Sequence, residues 1–441
     1  MANPFRQYFS VSPLVLCADD RAKEIVIHAR QRHVQKFLDA AVRVKVISME
    51  SPVEVACYRK WVQNAEPAPL RRGENGDLIL TAHTPTEGEY TIYLEQEKPD
   101  GSPAEVLTFA VYAVREDLFR LRPYRGDFHM HSNCSDGRET PEYVAATCRK
   151  IGLDFMSLTD HHRYGPSLTA QKAMADFGSD LLVCPGEEVH LPDNPTHIIN
   201  FGGKASINEM AEADEAKYRA GVAEYMKDLP EGYDENTRFQ VAASEWTYDR
   251  IREQGGIALF CHPFWQPNYH NFIGRDVIEL MMERNRFDAM EAVGGFYRPQ
   301  TESNMLAIAR WQEERAKGKK IPVVGISDSH GCDGDLTGWF YTIVFAEKLD
   351  FDSIAAAIRD ERSTAVHWIP EEHPIVVGRF RLVKFVHFLL REFYPAHNEL
   401  CRIEGEIMRR ALAGEEPDAR EQIARRKGTV ARYMEQCWEK I

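Results

Sequence analysis

The chain has 441 residues, of which 44% are hydrophobic and 28% charged, and its formal net charge is -14. A surface of this sign repels nucleic-acid backbones and anionic membranes, so neither extended nucleic acid nor a membrane is an expected partner. Nine cysteines occur without a CxxC pair, and the N-terminal residues lack a charged-then-apolar signal pattern. These features predict a cytoplasmic protein with reduced thiols.

Residues 1–120 are predicted to form an all-β domain, an Ig-like β-sandwich. Apolar and β-branched segments recur between turn-rich stretches, and this pattern is typical of short strands. The segments are EIVIHARQ, VRVKVISME, DLILTAH, EYTIYLEQ and VLTFAVYAV. Gly88-Glu89-Tyr90, at the start of one of them, is similar to the tyrosine corner of Ig-like sandwiches.

Residues 121–370 are predicted to form a parallel α/β barrel, because short apolar strands now alternate with helical stretches. The strands are GDFHMHS, LDFMSLTDH, LLVCPGEEV, HIINF, GIALFCHP, FDAMEAVGG, IPVVGISDSH and WFYTIVFA. Thr140 followed by Pro141 predicts a helix start, since a capping hydroxyl precedes a proline at the first helical position.

Two further segments depart from this alternation. Residues 207–240 are acidic and helix-prone, which leaves a solvated surface helix and a lid over the site as alternatives. Residues 371–441 are predicted to form a helical extension, in which Leu382, Phe385, Leu389 and Phe393 make one apolar face. This face is expected to pack against the barrel or against a second subunit of a homo-oligomer.

Six of the apolar strands end in residues that are able to ligate a metal ion. In a parallel barrel the carboxyl ends of the strands converge on one rim, where the active site lies. Imidazole together with carboxylate suits Zn, Mn or Fe better than Mg or Ca. The strand-end residues are His129, His131, Asp160, His161, His162, Glu187, Glu188, His262, Glu291, Asp328 and His330.

Each of these residues taken alone is more often a hydrogen-bonded core residue than a ligand. Their recurrence at the same end of successive strands favours metal binding, because so many buried polar side chains would otherwise be costly to desolvate. On a strand, positions i and i+2 share a face, so His129 and His131 are able to reach one ion while Met130 points away. Glu187 and Glu188 are adjacent, so only one of them faces the interior.

The motifs FHMHSNCSDG, SLTDHH, GEEV with HIINF, CHP and SDSH, in this order, resemble the polymerase and histidinol phosphatase (PHP) family of metal-dependent phosphoesterases. The resemblance covers about residues 124–366, and the two flanking regions lie outside it. It implies a distorted (β/α)7 barrel with two or three divalent transition-metal ions.

The resemblance also implies which residues hold these ions. The first ion takes His129, His131, Glu188 and Asp328. The second ion shares Glu188 and adds His197 and His262. The third ion takes Asp136, His161 and His330, but many family members have a histidine where Asp136 stands, and Asp136 before Gly137 is also typical of a turn. The count of two or three ions therefore stays open.

Three further residues are candidates for catalytic roles. Asp160 is expected to orient a ligand or to hold the strand end, and capping of the next helix is the alternative. Arg163 and Arg298 are candidates for holding the substrate phosphate, and a plain surface position is the alternative for each.

The sequence thus predicts a metal-dependent hydrolase of phosphate esters that acts through a metal-bridging hydroxide on a small phosphomonoester or a short nucleotide. One alternative is an amidohydrolase-like metal hydrolase of another bond, although the motifs contain no lysine that would be carboxylated. The other is a non-catalytic metal-binding module, but the ligand set is intact apart from the Asp136 variation.

Overall fold

The computed structural model describes residues 7–50, 65–97, 103–295, 297–334 and 336–440. Cys57 lies outside these ranges, and the eight described cysteines form no disulfide with one another. The chain divides into two compact units. One comprises Met1–Leu121, Lys384–His397 and Gly428–Ile441, and the other comprises Arg122–Val383 and Asn398–Lys427. The C-terminal segment predicted as a separate extension from residue 371 therefore contributes to both units.

The described residues of the first unit form eight strands. They are β1 (Phe9–Ser12), β2 (Val15–Cys17), β3 (Asp19–Ala29), β4 (Arg43–Ser48), β5 (Leu70–Arg72), β6 (Leu78–Thr84), β7 (Gly88–Glu97) and β8 (Pro103–Val114). They form two four-stranded sheets, in the orders β1-β3-β6-β5 and β2-β8-β7-β4. All pairs are antiparallel except β2 with β8.

One hydrophobic core joins the two sheets of the first unit. Ile25 and Leu80 from the first sheet lie in the same buried cluster as Ile92 and Phe109 from the second. The hydroxyl of Tyr90 donates a hydrogen bond of 2.9 Å to the carbonyl of Thr86, which is the backbone contact expected of a tyrosine corner.

The C-terminal residues of the first unit pack on these strands. The Phe385 ring lies 4.8 Å from the Tyr112 ring of β8, measured between centroids, and the backbone N–H of Glu439 donates to the carbonyl of Val15 at 2.8 Å. Phe385 of the predicted apolar face thus packs on a sheet of its own unit. The sequence suggested the barrel or a second subunit, because periodicity shows which face is apolar but not what covers it.

The second unit contains eleven strands. They are β9 (Arg122–Asp127), β10 (Phe155–Ser157), β11 (Leu182–Cys184), β12 (Gly186–Val189), β13 (Ile198–Phe201), β14 (Ile257–Phe260), β15 (Ala289–Gly294), β16 (Val323–Ile326), β17 (Phe340–Ala346), β18 (Ser363–His367) and β19 (Ile375–Gly378). They form a six-stranded sheet, β11-β10-β9-β17-β18-β19, and a five-stranded sheet, β12-β13-β14-β15-β16. The mixed α/β class is confirmed.

Strand pairing in the second unit is partly antiparallel, so the fully parallel barrel predicted from the alternation is not observed. β12 pairs with β13 antiparallel, because the connection 190–197 is too short for a crossover helix, which takes about a dozen residues. β13 also pairs with β14 antiparallel, although a long helical connection separates these two strands. Among the described residues the named strands do not close into one barrel. Two isolated parallel bridges, Met130 with Ser329 and His161 with Glu188, join the two sheets at the strand ends.

Helices cover the strands of the second unit. The α-helices of the described residues are Gln35–Asp39, Glu116–Phe119, Pro141–Lys150, Gly165–Phe177, Ile207–Ala213, Glu215–Lys227, Glu235–Glu253, Arg275–Arg284, Glu302–Ala316, Phe351–Arg359, Phe380–Glu392, Tyr394–Leu412, Ala419–Arg426 and Thr429–Cys437. The Thr140 hydroxyl caps the third of these by accepting from the N–H of Tyr143, as predicted. No helix in the described part of the chain combines the length and apolar character needed to cross a bilayer.

The helical segment around residues 207–240 is part of the core of the second unit. Ile207, Tyr218 and Val222 are buried in the same hydrophobic cluster as Phe260 and Met290 of the sheet. The segment therefore has one buried face, and it is not a helix solvated on all sides.

Candidate metal centre

Glu188 lies at the middle of a cluster of histidines and carboxylates at the ends of the strands. It sits on β12 and is fully buried. Its Oε2 atom lies 3.3 Å from His129 Nε2 and 2.7 Å from His161 Nδ1. Its Oε1 atom lies 2.8 Å from His197 Nδ1 and 3.4 Å from His262 Nε2. The two oxygens of one carboxylate thus face different sets of imidazoles.

The first candidate group consists of His129, His131, Glu188 and Asp328. Asp328 Oδ1 lies 3.1 Å from His129 Nε2 and 2.9 Å from His131 Nε2, so the two histidines share a face as their spacing predicts. Between them, the Met130 sulfur contacts Cys148 on helix Pro141–Lys150. Asp328 has a φ of 51°, a left-handed backbone conformation that L-residues rarely adopt and that often marks functional sites.

A second group surrounds Asp136, in the loop after the HxH motif. Asp136 Oδ2 lies 3.5 Å from His161 Nε2 and 3.3 Å from His330 Nε2, and Asp136 Oδ1 lies 3.9 Å from His131 Nδ1. The His131 ring stacks between the rings of His161 and His330, with centroids 4.3 Å away on each side. His131 therefore presents one ring nitrogen to each of the two groups.

Opposite charges in the cluster shift the pKa values of one another. Burial disfavours the imidazolium form of His129, but the carboxylates of Asp328 and Glu188 raise its pKa to about 9. Burial likewise disfavours the charged form of Glu188, yet the imidazoles of His129 and His197 hold its pKa well below the ordinary value. The carboxylates are therefore ionised and able to ligate a cation.

Several buried candidate-ligand atoms form no hydrogen bond of acceptable geometry among the described residues, although some of them lie within ion-pair distance of one another. They are both ring nitrogens of His129, Nδ1 of His131, Nδ1 of His262 and Oε2 of Glu188. Leaving such atoms unpaired costs about 1–3 kcal/mol each, and a divalent cation would satisfy those that face the carboxylates. Imidazole and carboxylate donors within reach of one another fit Zn, Mn or Fe.

Buried carboxylates around the cluster hold its backbone. Asp127 accepts from the N–H of His129 and that of Ser327, and burial raises its pKa to about 6. Glu291 accepts from the N–H of His262 at 2.9 Å, and burial raises its pKa to about 7. Glu291 therefore holds the backbone of His262 in place.

Asp160 fixes the loop that carries Asp136. It accepts hydrogen bonds from the N–H and the hydroxyl of Ser132, each at 2.8 Å, and from the hydroxyl of Ser135 at 2.6 Å. The following helix has its N-cap at Tyr164, so Asp160 does not cap it. In the same loop, a Cβ at Gly137 would lie 2.4 Å from the His131 carbonyl oxygen, so a close backbone approach requires this glycine.

The two arginines differ in their surroundings. Arg163 is exposed, directly after His161 and His162. The Arg298 guanidinium pairs with Glu372, donates to the carbonyl of Pro370 at 2.8 Å and lies over the Trp339 ring. The side-chain contacts of Arg298 are thus with residues outside the metal cluster.

Two features of the site were missed in the sequence. His190 reaches the cluster, with its Nε2 atom 2.9 Å from His161 Nδ1, and its position two residues after Glu188 repeats the HxH spacing. Trp265 and Phe272 form an aromatic wall, with ring centroids 5.7 Å from His262 and 5.1 Å from His197, respectively. Nothing in the local pattern of the CHP motif indicates that wall.

Comparison with known proteins gives short or distant similarities. No family model matches the chain. A stretch of 64 residues, 14% of this chain, is 38% identical to the DNA polymerase/3′-5′ exonuclease PolX of Bacillus subtilis, and it spans 11% of that protein.

Among solved structures, one similar chain is a two-domain protein containing a predicted PHP-like metal-dependent phosphoesterase from Bacteroides vulgatus. It shares 19% identity with a TM-score of 0.40, covering 62% of this chain and 71% of that one. Another is an amidohydrolase from Chromobacterium violaceum, with 18% identity, a TM-score of 0.30 and coverage of 47% and 87%. This chain is thus similar to a short stretch of PolX and, at low identity, to a PHP-like metal-dependent phosphoesterase.

Proposed function

We propose that the protein is a metal-dependent hydrolase of phosphate esters and that its substrate is a small phosphomonoester or a short nucleotide. The observation that supports this proposal is the arrangement around Glu188, whose two carboxylate oxygens face separate sets of ring nitrogens. Such a carboxylate is suited to lie between two cations. We also propose the distorted (β/α)7 barrel that the family resemblance implies, a cytoplasmic location and a small phosphorylated partner.

The residues of the site have distinct roles in this proposal. Divalent ions bound to the cluster would lower the pKa of a water molecule and offset the charge of the phosphoryl oxygens. Asp160 keeps the Asp136 loop in place through Ser132 and Ser135. His161 and His330 keep 24% and 35% of their side chains exposed, so this side of the cluster is open to a substrate.

Arg163 is the cation proposed to hold the phosphate, because it is exposed and follows the His161 strand end directly. Arg298 would first have to leave its ion pair with Glu372. The amidohydrolase-like and the non-catalytic alternatives use the same ligands, so the ligand set alone does not separate them from the phosphoesterase.

A substrate panel tests the proposal. The full chain is loaded with Mn2+ or with Zn2+ and assayed on phosphate monoesters, phosphate diesters, amides and lactones. We expect turnover of at least one phosphate ester, its loss in His129→Ala and its retention in His162→Ala, an exposed neighbour of the cluster. Turnover confined to amides or lactones would contradict the phosphate specificity, and a fully metal-loaded but inert chain would support the non-catalytic module.

A further inference from the structure

His190 lies beside the ligands of the second ion. It follows β12 directly, and its side chain extends to the same side of the strand as that of Glu188, two residues earlier. Its Nε2 atom lies 3.5 Å from Glu188 Oε1, and its ring centroid lies 3.8 Å from that of His197. Together with His197 Nδ1 and His262 Nε2, this makes three imidazole nitrogens within 3.5 Å of the same carboxylate oxygen.

We propose that His190 is the fourth protein ligand of the ion held by Glu188, His197 and His262. This inference rests on the metal-dependent function proposed above, but neither the motifs nor the family resemblance includes His190. A fourth ligand changes the chemistry of that position. A tetrahedral Zn2+ with three protein ligands keeps one open position, whereas four protein ligands close the site.

The backbone at His190 is held in place by Asn208. The N–H of His190 donates to Asn208 Oδ1 at 3.0 Å, and Asn208 Nδ2 donates to the carbonyl of Glu188 at 3.2 Å. The same amide therefore fixes both residues relative to each other. A ligand with a fixed backbone binds with a smaller loss of conformational entropy, as is typical of side chains oriented for metal binding.

A hydrogen bond to His161 is the competing role for His190. The two ring nitrogens, His190 Nε2 and His161 Nδ1, are 2.9 Å apart, and in such a pair one nitrogen donates and the other accepts. Loss of a hydrogen bond to a metal ligand weakens metal binding but keeps the set of ligands, so it would leave the spectrum of a bound ion nearly unchanged. Loss of a ligand would weaken binding and would also alter the spectrum.

Cobalt binding distinguishes the two roles. The full chain is stripped with a chelator and titrated with Co2+, whose visible absorption reports the geometry and the number of its ligands. We expect one Co2+ bound to His190→Ala to show an altered visible spectrum. We also expect it to bind at least about tenfold more weakly than in the wild type, because even the loss of a residue that only orients a ligand lowers metal affinity by about that factor. His190→Gln covers the case in which alanine disturbs folding.

Two matched variants complete the experiment. His162 lies next to His190, with ring centroids 4.7 Å apart, and is exposed, so His162→Ala should titrate like the wild type. His190→Cys should give a sulfur-to-cobalt charge-transfer band that His162→Cys lacks, because thiolate is a good ligand for such ions. If Co2+ bound to His190→Ala and to His190→Gln keeps the wild-type spectrum, whatever its affinity, the inference is overturned. A wild-type chain that binds no Co2+ would instead overturn the metal-dependent function itself.

Discussion

His161 follows β10 of one sheet and Glu188 lies on β12 of the other, yet an isolated parallel bridge joins their backbones and only 2.7 Å separates His161 Nδ1 from Glu188 Oε2. The opposite nitrogen of the same ring, Nε2, lies 3.5 Å from Asp136 Oδ2. His161 therefore connects the buried part of the cluster to its exposed part. Predictions about individual ligands follow from this connection.

His131→Ala should abolish hydrolysis and remove at least one bound ion, while the chain stays folded. The imidazole presents Nε2 to Asp328 and Nδ1 to Asp136, so its loss removes a ligand from two groups. Metal content by elemental analysis, turnover and thermal unfolding are measured on the same preparation. A variant that keeps half of the wild-type turnover would show that the histidine is structural.

Asp136→Asn should separate two-metal from three-metal occupancy. The Asp136 side chain is 55% exposed and is the carboxylate that joins His161 to His330. Asparagine preserves the turn but lacks the charge, so we expect loss of the third ion, retention of the other two and at least about a tenfold fall in turnover, or roughly 1.4 kcal/mol in the barrier. Unchanged metal content together with unchanged turnover would leave Asp136 with a turn-forming role alone.

Glu404→Gln should destabilise the second unit strongly. Glu404 Oε2 accepts from Nε and Nη2 of Arg149 at 3.0 and 2.9 Å, and both side chains are buried. Removing one partner of a buried ion pair costs about 3–5 kcal/mol because the other charge is left without compensation. Urea denaturation measures the change in the free energy of unfolding.

The control for this ion pair is Glu399→Gln. Glu399 pairs with Arg402 on the same helix, but both side chains are about half exposed, and such pairs contribute about 0–1 kcal/mol. Equal changes in the two variants would mean that the Arg149–Glu404 pair is not a major source of stability.

The stability of the protein should depend on pH through His367. Burial lowers the pKa of His367, and neither ring nitrogen has a hydrogen-bond partner among the described residues. The unfolded chain, with a histidine pKa of about 6.5, then binds the proton more readily than the folded chain. The contribution of neutral His367 to the free energy of unfolding is fully present above the unfolded pKa. It is lost as the pH falls from there towards the lower pKa of the folded chain.

His367→Phe removes this titration and keeps an aromatic ring beside Phe340, whose centroid lies 4.9 Å from that of His367. We expect the free energy of unfolding to fall less steeply in the variant than in the wild type between about pH 7 and pH 5. Parallel pH dependences would show that His367 does not titrate differently in the folded and unfolded chains.

The candidate ligands were predictable to the extent that each follows a short apolar strand. His129, His262 and Asp328 all come directly after such segments, and the rule needs no knowledge of how the strands pair. His190 stands at the same i, i+2 spacing from Glu188, so this spacing alone would have identified it as a further candidate. The antiparallel pairing of β12 with β13 was also implicit in the short connection between them.

Other features depend on contacts between distant parts of the chain. Arg298 is paired with Glu372, 74 residues away, and no local pattern indicates this partner. The Phe385 face is covered by Tyr112, although periodicity shows only that the face is apolar. Long side chains and amphipathic helices can be recognised locally, but their partners are set by the tertiary fold.

The helix that begins at Ile207 is tied to the strand that carries Glu188. The neighbouring Glu187 carboxylate accepts hydrogen bonds from the Ser206 hydroxyl, from the backbone N–H of Ile207 and from the Asn208 amide. A tilt of the first turn of this helix would therefore displace β12 and, with it, the candidate metal ligand Glu188. Any hinge that allows the helical segment to move without disturbing Glu188 must lie beyond this turn, nearer to Asp214, where the backbone leaves the helical conformation.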